Sequence, residues 1–382
     1  MARSSLLFIP LIALSFVTAS TLPIVGRHDY EVAISTASLA DTGRLDPFAK
    51  DGSFRRILVS SFTPIAGCRS KELQDYMPPA TAAFEDEKFG AYGLPNESFP
   101  ALQLETCVSR PSASRRQGKE DAFPLILFSG ALGTSRLLYS SMLQSIAAAG
   151  YLVISLDHPY DADVVEFPDG TMVEGVDISD DDLEAALTTR VEDIAYVHRQ
   201  LGNQSFADAL FQGQGNGCKK SLRRTAIVGH SFGGAAAASA MLRLPSIRGG
   251  VNLDGSMFGT VLSTGLNRPF LLMGHENKTQ ETDPSWNSIW PNLTGWKKEF
   301  EVKQTAHYSF SDLPLVVETL GLQGQLPEEA GQLLGTIEGS RMMNLTVSYV
   351  THFLDFVLKN KSDSVFRGNN FPEVVLSAEQ WG

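Results

Sequence analysis

Cysteine is scarce. Only Cys68, Cys107 and Cys218 occur in 382 residues, so at most one intrachain disulfide can form and one thiol is left over. A disulfide framework is excluded, and the 43% hydrophobic content must supply the core instead. Basic residues are also few. Lys and Arg number 31 against 43 Asp and Glu, a formal charge of -12. That balance speaks against a nucleic-acid partner, whose phosphates need cationic neutralisation, and it gives no help in docking to anionic lipid. Beyond the N-terminus no charge-free apolar run reaches the length of a membrane span, so no transmembrane anchor is expected. H-E-x-x-H is missing, and with it the His pair that holds a metal on one helix face. The sequence GHSFGG at 229–234 is not the G-x-G-x-x-G of a dinucleotide site.

The N-terminus is informative in the other direction. Residues 1–19, MARSSLLFIPLIALSFVTA, pair a basic start at Arg3 with a short apolar run and a small-x-small ending at Val17-Thr18-Ala19. This is the pattern of a cleaved signal peptide, and the expected product is a secreted, extracellular protein of residues 20–382. Export permits a disulfide. Cys68–Cys107 is the preferred pair, because closing that irregular region lowers unfolded-state entropy, while Cys218 lies in the Gly-rich stretch FQGQGNGCKK. Six Asn-x-Ser/Thr sequons, at Asn96, Asn203, Asn277, Asn292, Asn344 and Asn360, make a glycoprotein the expectation.

Along the chain, a first strand is expected around Tyr30–Ser35 and a second over 55–65 that turns before Pro64. Residues 66–122 read as an irregular insertion with a short helix near Ala80–Glu87. The runs FPLILFSG (123–130) and YLVISLDHP (151–159) look like buried parallel strands, and the helical pattern 135–150 between them ends at Gly150. Residues 160–178 form an acidic loop, and Ser179 precedes a helix as its candidate cap. TAIVGHSFGG (225–234), GGVNLDG (249–255), PFLLMGHE (269–276) and FEVKQTAHYSF (300–310) continue the alternation, and SYVTHFLDFVLKN (348–360) closes it as an amphipathic helix. The expected architecture is α/β: one domain built on a doubly wound, mostly parallel sheet with flanking helices.

The sharpest motif is Gly229-His230-Ser231-Phe232-Gly233, a G-x-S-x-G between an apolar strand and an Ala-rich helix. This is the setting of a nucleophile elbow. The turn lifts the serine hydroxyl above the sheet, and Gly229 and Gly233 leave room for backbone that passes close by. A serine needs a base. In this fold the order is Ser, acid, His. His28, His158 and His198 come too early, His230 lies inside the elbow pointing away from Ser231, and His352 sits in the closing helix. His307, between a strand and the polar Ser309–Asp312 loop, is the candidate base. For the acid, Asp254 and Glu276 each end a strand and both stay open; Asp312 is less well placed. One oxyanion N–H should belong to Phe232 and the other to Leu132, in the loop Ser129–Gly133.

Five stretches carry a family resemblance: FPLILFSGALGTSRLLYSSM, GYLVISLDHPYDA, IVGHSFGGAAA, GGVNLDGSMF and KQTAHYSFSDLP, spanning 123–313. They resemble the platelet-activating-factor acetylhydrolases and, more broadly, the dienelactone-hydrolase-like and polyester-hydrolase-like α/β hydrolases. The resemblance implies a Ser231–Asp254–His307 triad, selecting Asp254 over Glu276, with Phe232 and Leu132 as oxyanion donors. It also implies short-chain sn-2 esters of phospholipids as substrates, and no cofactor or metal. The family loop commonly has a histidine–glycine pair where this chain has Gly130-Ala131. A broad carboxylesterase or polyester hydrolase is the first alternative, and a non-catalytic binding glycoprotein the second.

Overall fold

The computed structural model describes residues 19–108, 122–211, 221–368 and 371–380. The leader and Cys218 lie outside them, apart from Ala19.

The buried apolar runs form the sheet. Its order is β14-β13-β12-β11-β10-β6-β7-β3-β2. Six strands are mutually parallel: β6 (Leu125–Ser129), β7 (Leu152–Asp157), β10 (Thr225–His230), β11 (Ile247–Leu253), β12 (Phe270–Gly274) and β13 (Lys297–Val302). Every residue of β6, β7, β10, β12 and β13 is buried, as expected of strands covered by helices on both faces. Antiparallel strands finish the edges. On one side are β2 (Glu31–Leu45) and β3 (Phe54–Ile65), and on the other β14 (Val374–Gln380). This is the α/β-hydrolase architecture.

Several sequence expectations need correction. The first strand of the sheet runs to Leu45, well beyond Ser35. Pro64 does not turn β3. It pairs with Val32 inside the ladder, and β7 contacts β3 only over Leu58–Phe62. Beyond that contact β3 is an edge, where a missing N–H costs nothing. The 66–122 segment is not merely irregular. It holds β4 (Lys71–Asp75), helix α1 (Pro79–Gly90) and β5 (Leu102–Cys107). With β1 (Ser20–Leu22) these strands make a second sheet, β1-β5-β4. Cys107, at the end of the central strand β5, is disulfide-bonded to Cys68, just ahead of β4, with Cα atoms 6.0 Å apart.

Helix α2 (Ser140–Ala148) follows β6, and Gly150 beyond it has φ 89°. The acidic 160–178 segment folds into a hairpin, β8 (Val164–Glu166) with β9 (Met172–Glu174). Ser179 does not cap backbone: its hydroxyl donates to Asp182 at 2.7 Å, and helix α3 (Leu183–Gln200) starts later. Helix α4 (Gln204–Leu210) leads towards β10, α5 (Phe232–Arg243) follows it, and α6 (Gly339–Lys359) is the long closing helix. None of these helices is long and apolar enough to cross a membrane.

Among the sequons, Asn96, Asn203, Asn277 and Asn360 are exposed. Asn344 is half-buried within α6, and the Asn292 amide donates to Leu262 O at 2.7 Å.

Candidate active site

The elbow is dictated by close packing. A Cβ at Gly229 would stand 1.9 Å from Gly233 O, and one at Gly233 would stand 2.0 Å from Ser129 O. Only glycine fits either place. Ser231 itself has φ 55° and ψ −126°, a strained backbone for a side-chain-bearing residue. Its N–H is held by Leu253 O at 2.8 Å. The result is a half-exposed hydroxyl at the N-terminus of α5, where the helix dipole favours negative charge.

His307 begins a short helical turn after β13. Its Nε2 lies 2.8 Å from Ser231 Oγ, and its Nδ1 lies 2.5 Å from Asp254 Oδ2. Asp254 follows β11 with φ 60° and is fully buried. Burial alone would raise its pKa, but His275 and His307 outweigh that and hold the carboxyl below the usual range. Glu276, the other acid weighed, turns elsewhere. Its Oε2 accepts the Gln304 N–H at 2.9 Å, and its Oε1 is 3.9 Å from Lys303 Nζ. Asp312 sits under the start of α2, accepting the N–H groups of Ser141 (2.7 Å) and Met142 (3.0 Å) and the Tyr76 hydroxyl (2.9 Å).

Two histidines acquire roles that the sequence does not advertise. His275 Nδ1 lies 2.7 and 2.8 Å from the two oxygens of Asp254, and its backbone N–H donates to Oδ1 at 2.8 Å. The imidazole reaches the Asp254 carboxylate from the next strand end. His230 points away from Ser231, as expected, but links two loops. Its Nε2 lies 2.9 Å from the His307 carbonyl, which can only accept. Nε2 is therefore the donor, and Nδ1, 2.8 Å from Tyr139 Oη, accepts. Tyr139 Oη in turn accepts the Ala131 N–H at 3.0 Å. This directed chain joins the Ser129–Gly133 loop to the His307 loop. Burial lowers the His230 pKa to about 3, so the ring stays neutral and the direction is kept.

The Ser129–Gly133 loop is clamped from beneath. Arg190 of α3, almost fully buried, donates from Nη1 to Gly130 O (2.5 Å) and Ser129 Oγ (3.0 Å), and from Nη2 to Ala131 O (3.1 Å). Asp161 accepts the other edge of the guanidinium, with Nε at 2.6 Å, and the Gly133 N–H donates to Asp161 O at 2.9 Å. Part of the acidic segment is thus an internal ion pair. Lys88 of α1 adds a bond to Gly133 O at 2.8 Å. A Cβ on Gly130 would come 2.7 Å from the Tyr139 ring, so the Gly130-Ala131 departure from the family pattern accommodates Tyr139. With the neighbouring carbonyls held away, no acceptor among the described residues takes the Leu132 or Phe232 N–H.

The ligand atoms of Asp254, His275 and His307 lie within 4.8 Å of one another, a spacing that suits a metal. Here both Nδ1 atoms are paired with the carboxylate.

A family model described as platelet-activating factor acetylhydrolase, isoform II, matches residues 103–166 and 209–373. Ser231, Asp254, His275 and His307 fall within the match, and Arg190 falls outside it. A probable 1-alkyl-2-acetylglycerophosphocholine esterase of Arthroderma benhamiae is 31% identical over 84% of this chain and 85% of its own. A platelet-activating factor acetylhydrolase of Cavia porcellus is 24% identical over 55% of this chain and 54% of its own. A ferulic acid esterase from Streptomyces cinnamoneus superposes with TM-score 0.76 at 27% identity, over 94% of this chain and all of its own. A shared serine-hydrolase fold and a match over most of the chain lead to one conclusion: this enzyme belongs to the platelet-activating factor acetylhydrolase isoform II family of α/β hydrolases.

Proposed function

We propose that this enzyme is a secreted serine esterase that removes short acyl groups from the sn-2 position of phospholipids. The observation that carries the reading is the unbroken series Ser231 Oγ, His307 Nε2, His307 Nδ1, Asp254 Oδ2, at 2.8 and 2.5 Å. In this reading His307 takes the Ser231 proton as the hydroxyl attacks the ester carbonyl. Asp254 fixes the Nδ1–H tautomer and stabilises the imidazolium. The Leu132 and Phe232 N–H groups receive the oxyanion. His307 then protonates the departing alcohol, and water activated by the same imidazole frees the acid from the acyl-serine. No step asks for a metal or an organic cofactor.

The substrate class follows from the Arthroderma relative, whose name specifies an acetyl ester of a glycerophosphocholine. Export and glycosylation at the exposed sequons are supported by the leader pattern of residues 1–19. We take residues 20–382 as one catalytic domain, with the β1-β5-β4 sheet as its N-terminal elaboration.

The test compares acetyl and palmitoyl esters of one leaving group, kept below aggregation, on the purified mature chain. Acetyl esters are expected to give the higher kcat/KM, chelator to leave the rate intact, and a phosphonylating reagent to abolish it at Ser231. A palmitoyl preference removes the acetylhydrolase reading. A broader carboxylesterase is the second reading, favoured by the superposition on a ferulic acid esterase over 94% of the chain. Faster turnover of feruloyl than of acetyl-phospholipid esters would select it.

A further inference from the structure

Three arginines share one groove at the end of the sheet opposite the triad. Arg223 precedes β10, Arg248 lies near the start of β11, and Arg268 precedes β12. Ser231 and Asp254 follow the far ends of β10 and β11, about 20 Å away for a six-residue strand. The groove has a volume of about 640 Å³, and its other lining includes Pro245, Phe356 and Val357.

Acids outnumber bases 43 to 31, and Arg27, Arg55, Arg190, Arg243 and Arg341 all have carboxylate partners. Among the described residues, Arg223, Arg248 and Arg268 have none within ion-pair distance. Arg248 Nε donates to the Arg223 carbonyl at 2.9 Å, which leaves its two terminal nitrogens uncommitted. Arg268 donates to carbonyls near the end of α5, at Leu244 (3.2 Å) and Ile247 (2.5 Å). A third bond, to Met241 O, completes its seat, so Arg268 caps the C-terminal carbonyls of α5 with both terminal nitrogens committed, and burial lowers its pKa. Arg223 and Arg248 are exposed and have no comparable structural task. Arg223 and Arg248 bring two charges without carboxylate partners among the described residues to the lining of one groove, and a bound anion would neutralise both.

We propose that this groove binds a phosphate group carried on a short aliphatic chain. The two free guanidinium forks of Arg223 and Arg248, with Arg268 fixed beside them in the groove lining, match the several terminal oxygens and near-double charge of a phosphate monoester better than the two oxygens of a carboxylate. Phe356, Val357 and Pro245 offer apolar contact to the chain beside the head group. The net charge of -12 opposes approach to an extended anionic surface, so the ligand is a single molecule in solution. The site is independent of the ester chemistry, and its residues lie outside the triad.

The test is calorimetric titration of the whole mature protein, at low salt, with inorganic phosphate and with n-octyl phosphate below its micelle concentration. Octyl phosphate is expected to bind at least about tenfold more tightly than inorganic phosphate, a factor that about two buried methylenes supply. The double variant R223S/R248S should weaken octyl phosphate by about tenfold or more, and R248Q alone by a smaller factor. Both variants should keep the wild-type melting temperature and aryl-ester turnover. Equal affinity for the two ligands overturns the proposal by removing the apolar contact. Unchanged binding in the double variant also overturns it, as does binding that only competes with the aryl ester, because either result puts the ligand elsewhere. Absence of saturable binding to the wild type overturns it outright.

Discussion

His275 Nδ1 lies 2.7 Å from one oxygen of Asp254 and 2.8 Å from the other, so the buried carboxylate meets two imidazoles, one of which also faces the serine. An ionised Asp254 accepts both Nδ1–H groups and the His275 backbone N–H. The extra donors satisfy lone pairs that burial removes from water and hold the carboxylate in one rotamer for His307.

If His275 positions Asp254, His275→Ala should lower kcat by about tenfold, the equivalent of one modest hydrogen bond to a charged group. His275→Asn puts an amide N–H where Nδ1 stands and should recover most of the rate. His275→Phe keeps the volume without the donor and should stay impaired. Steady-state kinetics on the three folded variants, with pH profiles, check the order. Equal rates for Asn and Phe would refute it.

Asp254→Asn should fold and lose roughly 10⁴-fold in kcat, the cost of a triad aspartate in the worked serine-protease case. Glu276→Gln should change kcat by less than about threefold, because its carboxylate serves Gln304 and Lys303. Burst and steady-state measurements with an aryl ester separate the two.

Arg190→Gln removes a buried guanidinium from the Gly130 and Ala131 carbonyls and leaves Asp161 unpaired. Stability should drop by about 3–5 kcal/mol. Turnover of the folded fraction should fall by roughly 10²-fold with little change in KM, as for loss of one oxyanion donor. Arg190→Lys keeps the charge but not the planar fork, so kcat should recover only in part. Denaturant melts alongside kinetics separate the effects, and an unchanged kcat would remove Arg190 from the positioning of this loop.

Glu299 on β13 is buried, with Oε1 accepting only the Gln280 N–H at 3.1 Å and Oε2 unpartnered among the described residues. Burial pushes its pKa up to about 7. An acid whose folded pKa exceeds its unfolded value binds more protons when folded, so stability falls as pH rises from about 4.5 to 7. Glu299→Gln should therefore raise the melting temperature at pH 8.5, by the equivalent of about 1 kcal/mol after allowance for solvent screening. The gain should vanish below about pH 4, where the carboxyl is protonated in both states. A gain that does not depend on pH would point to packing instead.

The legible features were those written in short stretches of sequence. Strand β10 running into Gly229-His230-Ser231-Phe232-Gly233 is readable because each glycine is required by backbone only a few residues or one strand away. The runs of β6, β7 and β12 declare themselves because a strand buried on both faces has no polar alternation to disguise it. His307 can be selected by chain order, whereas Asp254 and Glu276 both end strands, and the shorter side chain of Asp254 favours it only slightly until the family resemblance selects it.

What the tertiary structure decided was pairing across distance. Nothing local in His275 says that it will face a carboxylate 21 residues earlier, and nothing in helix α3 says that Arg190 will hold carbonyls 59 and 60 residues away. The β1-β5-β4 sheet and the antiparallel β14 were missed because a short strand acquires its conformation from a partner rather than from its own period. The acidic 160–178 segment reads only as an acidic loop because charge is legible in sequence and burial is not. A carboxylate such as Asp161 enters the interior only where a cation and donated hydrogen bonds replace the water it gives up, and those arrive from distant parts of the chain.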